Sequence, residues 1–186
     1  MEWTIPGTAL RGLRDDVEAS IRQIEGMFLG GGMIRSQMAS VSGVEAHDIQ
    51  NWVKRGFLSN PVNKRYSCKQ FCRIVTINML RSAMTMDKIC SLLTYVNGEL
   101  DDESDDLIDD TVLYFMFLRL AARARHIGGT ESWEVAIADI LKDYVEPVPG
   151  AKKRIEQVLR IMLTAWIGVR TIQKAEQMLA ELKEEP

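Results

Sequence analysis

Gln50 and Asn51 are adjacent carboxamides in the stretch AHDIQNWVKRG. A carboxamide holds a donor and an acceptor side by side and can pair with two atoms of adenine in a major groove. His47 stands three residues before Gln50, and Lys54 and Arg55 stand four residues after Gln50 and Asn51. A helix over 45–55 would therefore offer amides and an imidazole to bases and cations to phosphates. Glu45 and Asp48 fall in the same stretch and would repel phosphate. A second basic and aromatic cluster, Lys64-Arg65-Tyr66, lies further along the chain. The bland reading of all these side chains is a solvated surface.

Other chemistry finds less support. There are two histidines, His47 and His126, no nucleophile motif, and no paired carboxylates outside one acidic run, so an enzyme is not expected. His126 reads most simply as a residue favourable to a helix C-terminus. Cys68 and Cys72 would share a helix face, and a metal clip completed by Cys90 or His47 competes with the preferred reading, small buried apolar residues. No metal or cofactor is expected. Three cysteines, an odd count without an export leader, argue against a disulfide framework and for a cytoplasmic protein. Gly30-Gly31-Gly32 lacks the Lys-Ser or Lys-Thr of a phosphate loop and reads as a helix stop. The run 99–110 has eight acidic residues in twelve, but not the ligand register of a calcium loop.

The overall charge of −3 is unevenly spread. Nine cations against three carboxylates give residues 33–96 a net of +6, which leaves −9 for the remainder. That pattern suits a basic module meeting a polyanion, joined to acidic surroundings. With 46% hydrophobic and 26% charged residues the chain is expected to fold. The longest apolar stretch, between Arg160 and Arg170, is far below the ~20 residues of a membrane span.

Positioning the amides requires a helix, a tight turn and a second helix over 36–52. Ala39 marks a close helix approach, Gly43 the turn, and Val44, Ile49 and Trp52 the inward positions. Ser36 is expected to cap the first helix, and Gly56 to end the second near Arg55. Asn60-Pro61 then predicts a small β-hairpin or extended wing. Ser67 and Gln70 form a capping box for a helix with Phe71, Ile74, Val75, Ile77, Met79 and Leu80 inward, and Thr85 caps another with Ile89, Leu92, Leu93 and Val96 inward.

Outside this unit, residues 1–7 are expected to be loose. Leu10, Leu13, Val17, Ile21, Ile24 and Phe28 predict an amphipathic helix from Thr8 to Leu29. A solvated acidic linker is expected at 99–110, with Asp109 or Asp110 capping the first of three further helices. They are Thr111 to His126, ended by Gly128-Gly129; Ser132 to Tyr144, capped by Thr130; and Ala151 to Leu182. Unbroken, the last spans ~48 Å at ~1.5 Å per residue. Its stripe of Ile155, Val158, Leu159, Met162, Trp166, Val169, Ile172 and Leu179 suits either intrachain packing or a subunit interface. Tyr114, Phe115, Phe117 and Trp133 fit a small-molecule pocket or an ordinary core equally well.

The order of elements from Ser36 to Leu93 resembles the MerR-like winged helix-turn-helix. The resemblance rests on Ala39, Gly43-Val44, Ile49, the Lys54-Arg55-Gly56-Phe57-Leu58 exit, Tyr66-Ser67 and Thr85-Met86-Asp87-Lys88-Ile89. The phrases QNWVKRGF, PVNKRYS, INML and DDESDD are similar to an uncharacterised bacterial family of the DUF1836 type, from about Gly26 onward. The first resemblance implies a dimeric transcription regulator with 45–55 in the major groove and Lys64, Arg65 and Tyr66 as wing contacts. Departures are Gln50 where an arginine is usual, a short wing, and an acidic linker in place of a long dimer helix.

The expected architecture is mainly all-α: residues 1–32 as an N-terminal helix and glycine linker, 33–98 as a winged helix-turn-helix with a short wing, 99–110 as the acidic linker, and 111–186 as a helical dimerisation or sensing region. The expected function is sequence-specific binding of double-stranded DNA by a homodimer, through His47, Gln50, Asn51, Lys54, Arg55, Lys64, Arg65 and Tyr66, with room for a small-molecule effector and no membrane partner. The competing function is a protein-interaction adaptor that keeps the fold without binding DNA.

Overall fold

A computed structural model describes residues 2–98, 100, 103–124 and 132–184. Among these the architecture is helical, with eight α-helices and one two-stranded sheet. None of these helices is long and apolar enough to cross a membrane.

The N-terminus departs from expectation. Strands β1 (Glu2–Thr4) and β2 (Arg11–Leu13) pair antiparallel, with Trp3 opposite Gly12. Helix α1 covers only Val17–Gly26. Residues 2–7 are therefore held: Trp3 and Ile5 are buried, and the Tyr114 hydroxyl donates to the Pro6 carbonyl at 2.7 Å. The predicted helix from Thr8 fails because local bonds favour the turn. The Thr8 hydroxyl donates to the Ile5 carbonyl at 2.9 Å and accepts from the Leu10 amide at 3.0 Å. Gly12 packs so tightly on α1 that a Cβ there would come within 2.4 Å of the Ser20 hydroxyl. Asp16 then caps α1 by accepting from the Ala19 amide.

Next come α2 (Arg35–Ser42) and α3 (Ala46–Lys54). The N-cap of α2 is Ile34, whose amide donates to the Gln37 side chain at 3.1 Å, so Ser36 lies inside the helix and does not cap it. Gly43 ends α2 with a left-handed φ of 69°, a conformation that costs glycine no Cβ clash. Met38, Val44, Ile49 and Trp52 turn inward.

Helix α4 (Cys68–Leu80) is the hub. Its capping box forms as expected, with the Gln70 amide donating to Ser67 Oγ at 3.2 Å and the Ser67 amide to Gln70 Oε1 at 2.9 Å. Ten of its thirteen residues are buried, so it packs on all sides and not on one face alone. Helices α5 (Met86–Asn97) and α6 (Asp110–Arg123) come after it. Thr85 occupies the N-cap of α5 without a side-chain bond, whereas Asp109 caps α6 by accepting from the Thr111 amide at 2.7 Å.

Between α5 and α6 the acidic stretch is not merely a solvated spacer. Leu107 and Ile108 are buried, the Leu107 amide donates to the Val96 carbonyl, and Asp110 is 4% exposed. Arg73 meets Asp110 at 3.2 Å, both side chains under a tenth exposed. One hydrophobic cluster runs from Trp3 through α4 and α6 to Trp166, crossing the sequence division at 99–110.

Helix α7 (Trp133–Ile140) is capped by Ser132, which accepts from the Val135 amide. Thr130, the expected cap, lies outside the described residues, as do His126 and Gly128-Gly129. Helix α8 (Ala151–Glu184) is unbroken for 34 residues, ~51 Å at ~1.5 Å per residue. Its stripe divides in two. Ile155, Val158, Leu159, Met162 and Trp166 are core, while Ile172 and Leu179 are more than half exposed. Tyr114, Phe115 and Phe117 are core residues.

Removing one member of a buried ion pair leaves an uncompensated charge, which costs about 3–5 kcal/mol. Asp110→Ala and Arg73→Met are each expected to lose that much in urea unfolding. The double variant Arg73→Met/Asp110→Leu should lose less than the sum. Single-variant losses below about 1 kcal/mol would show that the pair does not tie α4 to α6.

Candidate nucleic-acid interface

Helix α3 buries Ile49 and Trp52 and presents His47, Gln50, Asn51 and Lys54 to solvent. These four stand at i, i+3, i+4 and i+7, so they form one row on the outer face. Arg55 sits at the C-cap, its guanidinium 4.5 Å from the Phe57 ring centre. That contact orients the cation beyond the helix end.

Asp48 is not free to repel phosphate in full. Its carboxylate lies 3.2 Å from Arg81 Nη1 and 3.2 Å from His47 Nε2. Arg81, from the end of α4, also lies 5.9 Å from the Trp52 ring centre. Arg81 was not among the expected site residues, and nothing near it in sequence points to Asp48, 33 positions away.

The expected hairpin over 57–66 is reduced to a tight turn. A single bridge joins Val62 to Arg65, with Asn63 and Lys64 at φ 50° and 61°. Two successive left-handed residues are the signature of a type I′ turn. Lys64 and Arg65 are exposed. Tyr66 is not: at 4% exposure it is a core residue, and its backbone pairs with Met33 at 2.7 and 3.0 Å. The tyrosine therefore anchors the turn and is not part of the exposed basic cluster formed by Lys64 and Arg65. Burial also pushes its phenol above the ordinary range.

Buried polar groups on α4 hold the turn's approach. Gln70 Nε2 donates to the Ser59 carbonyl at 2.9 Å and the Asn60 carbonyl at 3.1 Å. Arg73 Nε donates to the Phe57 carbonyl at 3.0 Å while Nη1 holds Asp110. Burial pushes the Asp110 carboxyl upward, and Arg73 pulls it back. Arg73 is the one charged residue between Gln70 and Leu80, among positions that are mostly apolar, and that is the signal in the sequence that could have pointed to this role. On the far side, Arg65 Nη1 donates to the Gly32 carbonyl at 2.8 Å.

Cys68 and Cys72 share a hydrogen bond on α4, which lowers the Cys68 thiol, while burial raises Cys72 well above the ordinary range. Neither Cys90 nor His47 completes a site with them. Among the described residues no group of three or more His, Cys, Asp or Glu side chains is placed to hold a metal ion.

Gly32 connects α1 to this unit at φ 91°, and a Cβ there would lie 2.7 Å from the Tyr66 carbonyl oxygen. Gly32→Ala is expected to cost about 1–3 kcal/mol and to expose the Met33 and Tyr66 amides to hydrogen exchange. Gly30→Ala, where nothing lies within 4 Å, should stay within about 0.5 kcal/mol of the parent. Equal effects at the two positions would remove the claim that this close approach fixes the turn.

Comparison with curated proteins and with solved structures yields no match to this chain. Residues 34–117, from the N-cap of α2 into α6, match the model of a family described as a domain of unknown function (DUF1836).

Proposed function

We propose that the protein is a sequence-specific DNA-binding transcriptional regulator, built on a MerR-like winged helix-turn-helix with α3 in the major groove and the 62–65 turn on the backbone. The observation that carries this reading is the exposed row His47, Gln50, Asn51 and Lys54 on the second helix of a pair joined through Gly43. Amides at its centre suit adenine edges, and cations at its end suit phosphates. Arg55, Lys64 and Arg65 are the remaining proposed contacts. Glu45, exposed at the N-cap of α3, adds negative charge to this helix end and limits affinity.

A homodimer through α8 accompanies this reading. Past Trp166 the helix leaves Ile172, Met178, Leu179 and Leu182 each more than half exposed. Ile172 and Leu179 lie seven residues apart with Leu182 three further on, and apolar side chains on one side of an overhanging helix suit a helical partner. A two-fold pair would present two reading helices to a palindromic site.

One observation favours a protein-interaction adaptor instead. Asp48 and Arg81 form an ion pair beside the reading row, as a protein-facing surface of mixed charge would. Under that reading a protein partner occupies the α3 face and nucleic acid does not compete.

Lys64 separates the two readings. Its left-handed φ of 61° lies where type I′ turns favour glycine. Lys64→Gly is expected to raise stability by about 0.5–1 kcal/mol. If the lysine is held there for phosphate, the same change should weaken binding to genomic DNA fragments and reduce the salt slope by about 1 in fluorescence anisotropy. A parent protein that binds no fragment at low salt, or a Lys64→Gly variant of unchanged affinity, would overturn the DNA reading.

A further inference from the structure

Beside the 59–67 segment lies a cleft of about 520 Å³, closed by the first turn of α4, the start of α6 and the end of α5. That volume falls in the range of small-molecule sites. Asn97, the last residue of α5, lines it at 4% exposure, and neither its amide nitrogen nor its carbonyl oxygen has a partner. Among the described residues no other side chain has both a buried donor and a buried acceptor left unpaired. An unsatisfied buried carboxamide opposes folding, so its retention at a cavity wall needs a reason.

Five ionic side chains line the cleft. Lys69 meets Asp106 at 3.1 Å, Arg73 meets Asp110 at 3.2 Å, and Arg65 donates to the Gly32 carbonyl at 2.8 Å, so an uncharged occupant leaves each of these contacts in place. Phe28 supplies an aromatic wall suited to a flat ring. We propose that this cleft binds a small uncharged heterocycle of the nucleobase or nicotinamide kind, with an adjacent hydrogen-bond donor and acceptor that pair with the Asn97 carboxamide. Ser59, Asn60 and Asn63 also line the cleft, so an occupant fixes the turn that carries Lys64. A consequent change in DNA affinity rests on the DNA-binding reading; the binding event itself does not.

Cys68 lines the same cleft and is half-buried, which gives a direct assay without DNA. Uracil, adenine and nicotinamide serve as probes, with toluene as a ring that lacks the donor and acceptor. At millimolar concentration at least one of the three is expected to slow iodoacetamide alkylation of Cys68 about threefold, as saturation near twice Kd requires. Peptide mass spectrometry reads the effect, and Cys90, outside the cleft, is the internal reference. Asn97→Leu, similar in size, should abolish the protection and leave Tm unchanged or higher, because the unpaired amide is gone. Asn97→Ala is the second variant, which adds no bulk. The proposal is overturned if none of the three probes protects Cys68, if toluene protects equally, or if protection survives Asn97→Leu. It is also overturned if both variants fall by many degrees in Tm, since the amide would then be supporting the fold. Loss of DNA binding in a separate assay leaves each of these outcomes unaltered.

Discussion

The buried contact between Arg73 and Asp110 is the constraint on which the rest of this molecule depends. One guanidinium spans three parts of the chain: it sits on α4, donates to the Phe57 carbonyl just beyond α3, and meets the first residue of α6. Charges at this depth are stable only when their hydrogen-bonding groups are used. The pair therefore constrains geometry more than it adds stability. It requires the exit from α3, the body of α4 and the start of α6 to keep one arrangement, and so sets the path along which the 57–66 segment leaves α3. Gln70, one turn earlier, fixes Ser59 and Asn60 in the same way.

This explains why the acidic stretch behaves unlike a linker. Three of its carboxylates meet α4: Asp106 and Asp109 lie 3.1 and 3.5 Å from Lys69, and Asp110 lies beside Arg73. The intervening Leu107 and Ile108 enter the core. A run of eight acidic residues in twelve is soluble on composition alone, yet three of its carboxylates pair with the two cations of α4. The N-terminal hairpin is attached from the other side by Tyr114 to Pro6 and by Asn78 to Gly7. The arrangement thus places α4 and α6 at the centre, with short elements packed around them.

Legibility in the sequence tracks the range of each interaction. The Ser67–Gln70 capping box, the Gly43 turn and the Asp109 cap are determined within three or four residues, and their residue types announced them. The helices from α2 to α8 carry periodicity strong enough to be legible, with boundaries shifted by a few residues. The hairpin was illegible because Leu10 and Leu13, three apart, continue the apolar spacing of α1 across a segment that folds otherwise. The Thr8 bonds that set its turn are local, but the contacts that hold it in place, Gly12 pressed against Ser20 and the Pro6 carbonyl bonded to Tyr114, are not part of that spacing. The burial of Tyr66 was illegible for a related reason: next to Lys64 and Arg65 it resembles an exposed residue, but its backbone pairs with Met33 and its side chain is buried. The unpaired Asn97 has no sequence signature, since only packing reveals what a buried amide lacks.

The net of +6 over residues 33–96 is accordingly not the field that an external partner meets. Lys69, Arg73 and Arg81 each face a carboxylate within the molecule, two of them from the acidic stretch and one from Asp48. These pairs use the interior part of the basic excess for folding. The exposed cations that remain on this side include Lys54 and Arg55 at the end of α3 and Lys64 and Arg65 on the turn. Pairing inside the fold therefore leaves two exposed basic doublets, Lys54-Arg55 and Lys64-Arg65, with Arg35 and Lys88 exposed singly. Screening limits the reach of each cation to about 8–10 Å at ordinary salt, so such clustering, more than total charge, decides where a polyanion can be held. An overall charge of −3 is then no obstacle to a locally basic surface.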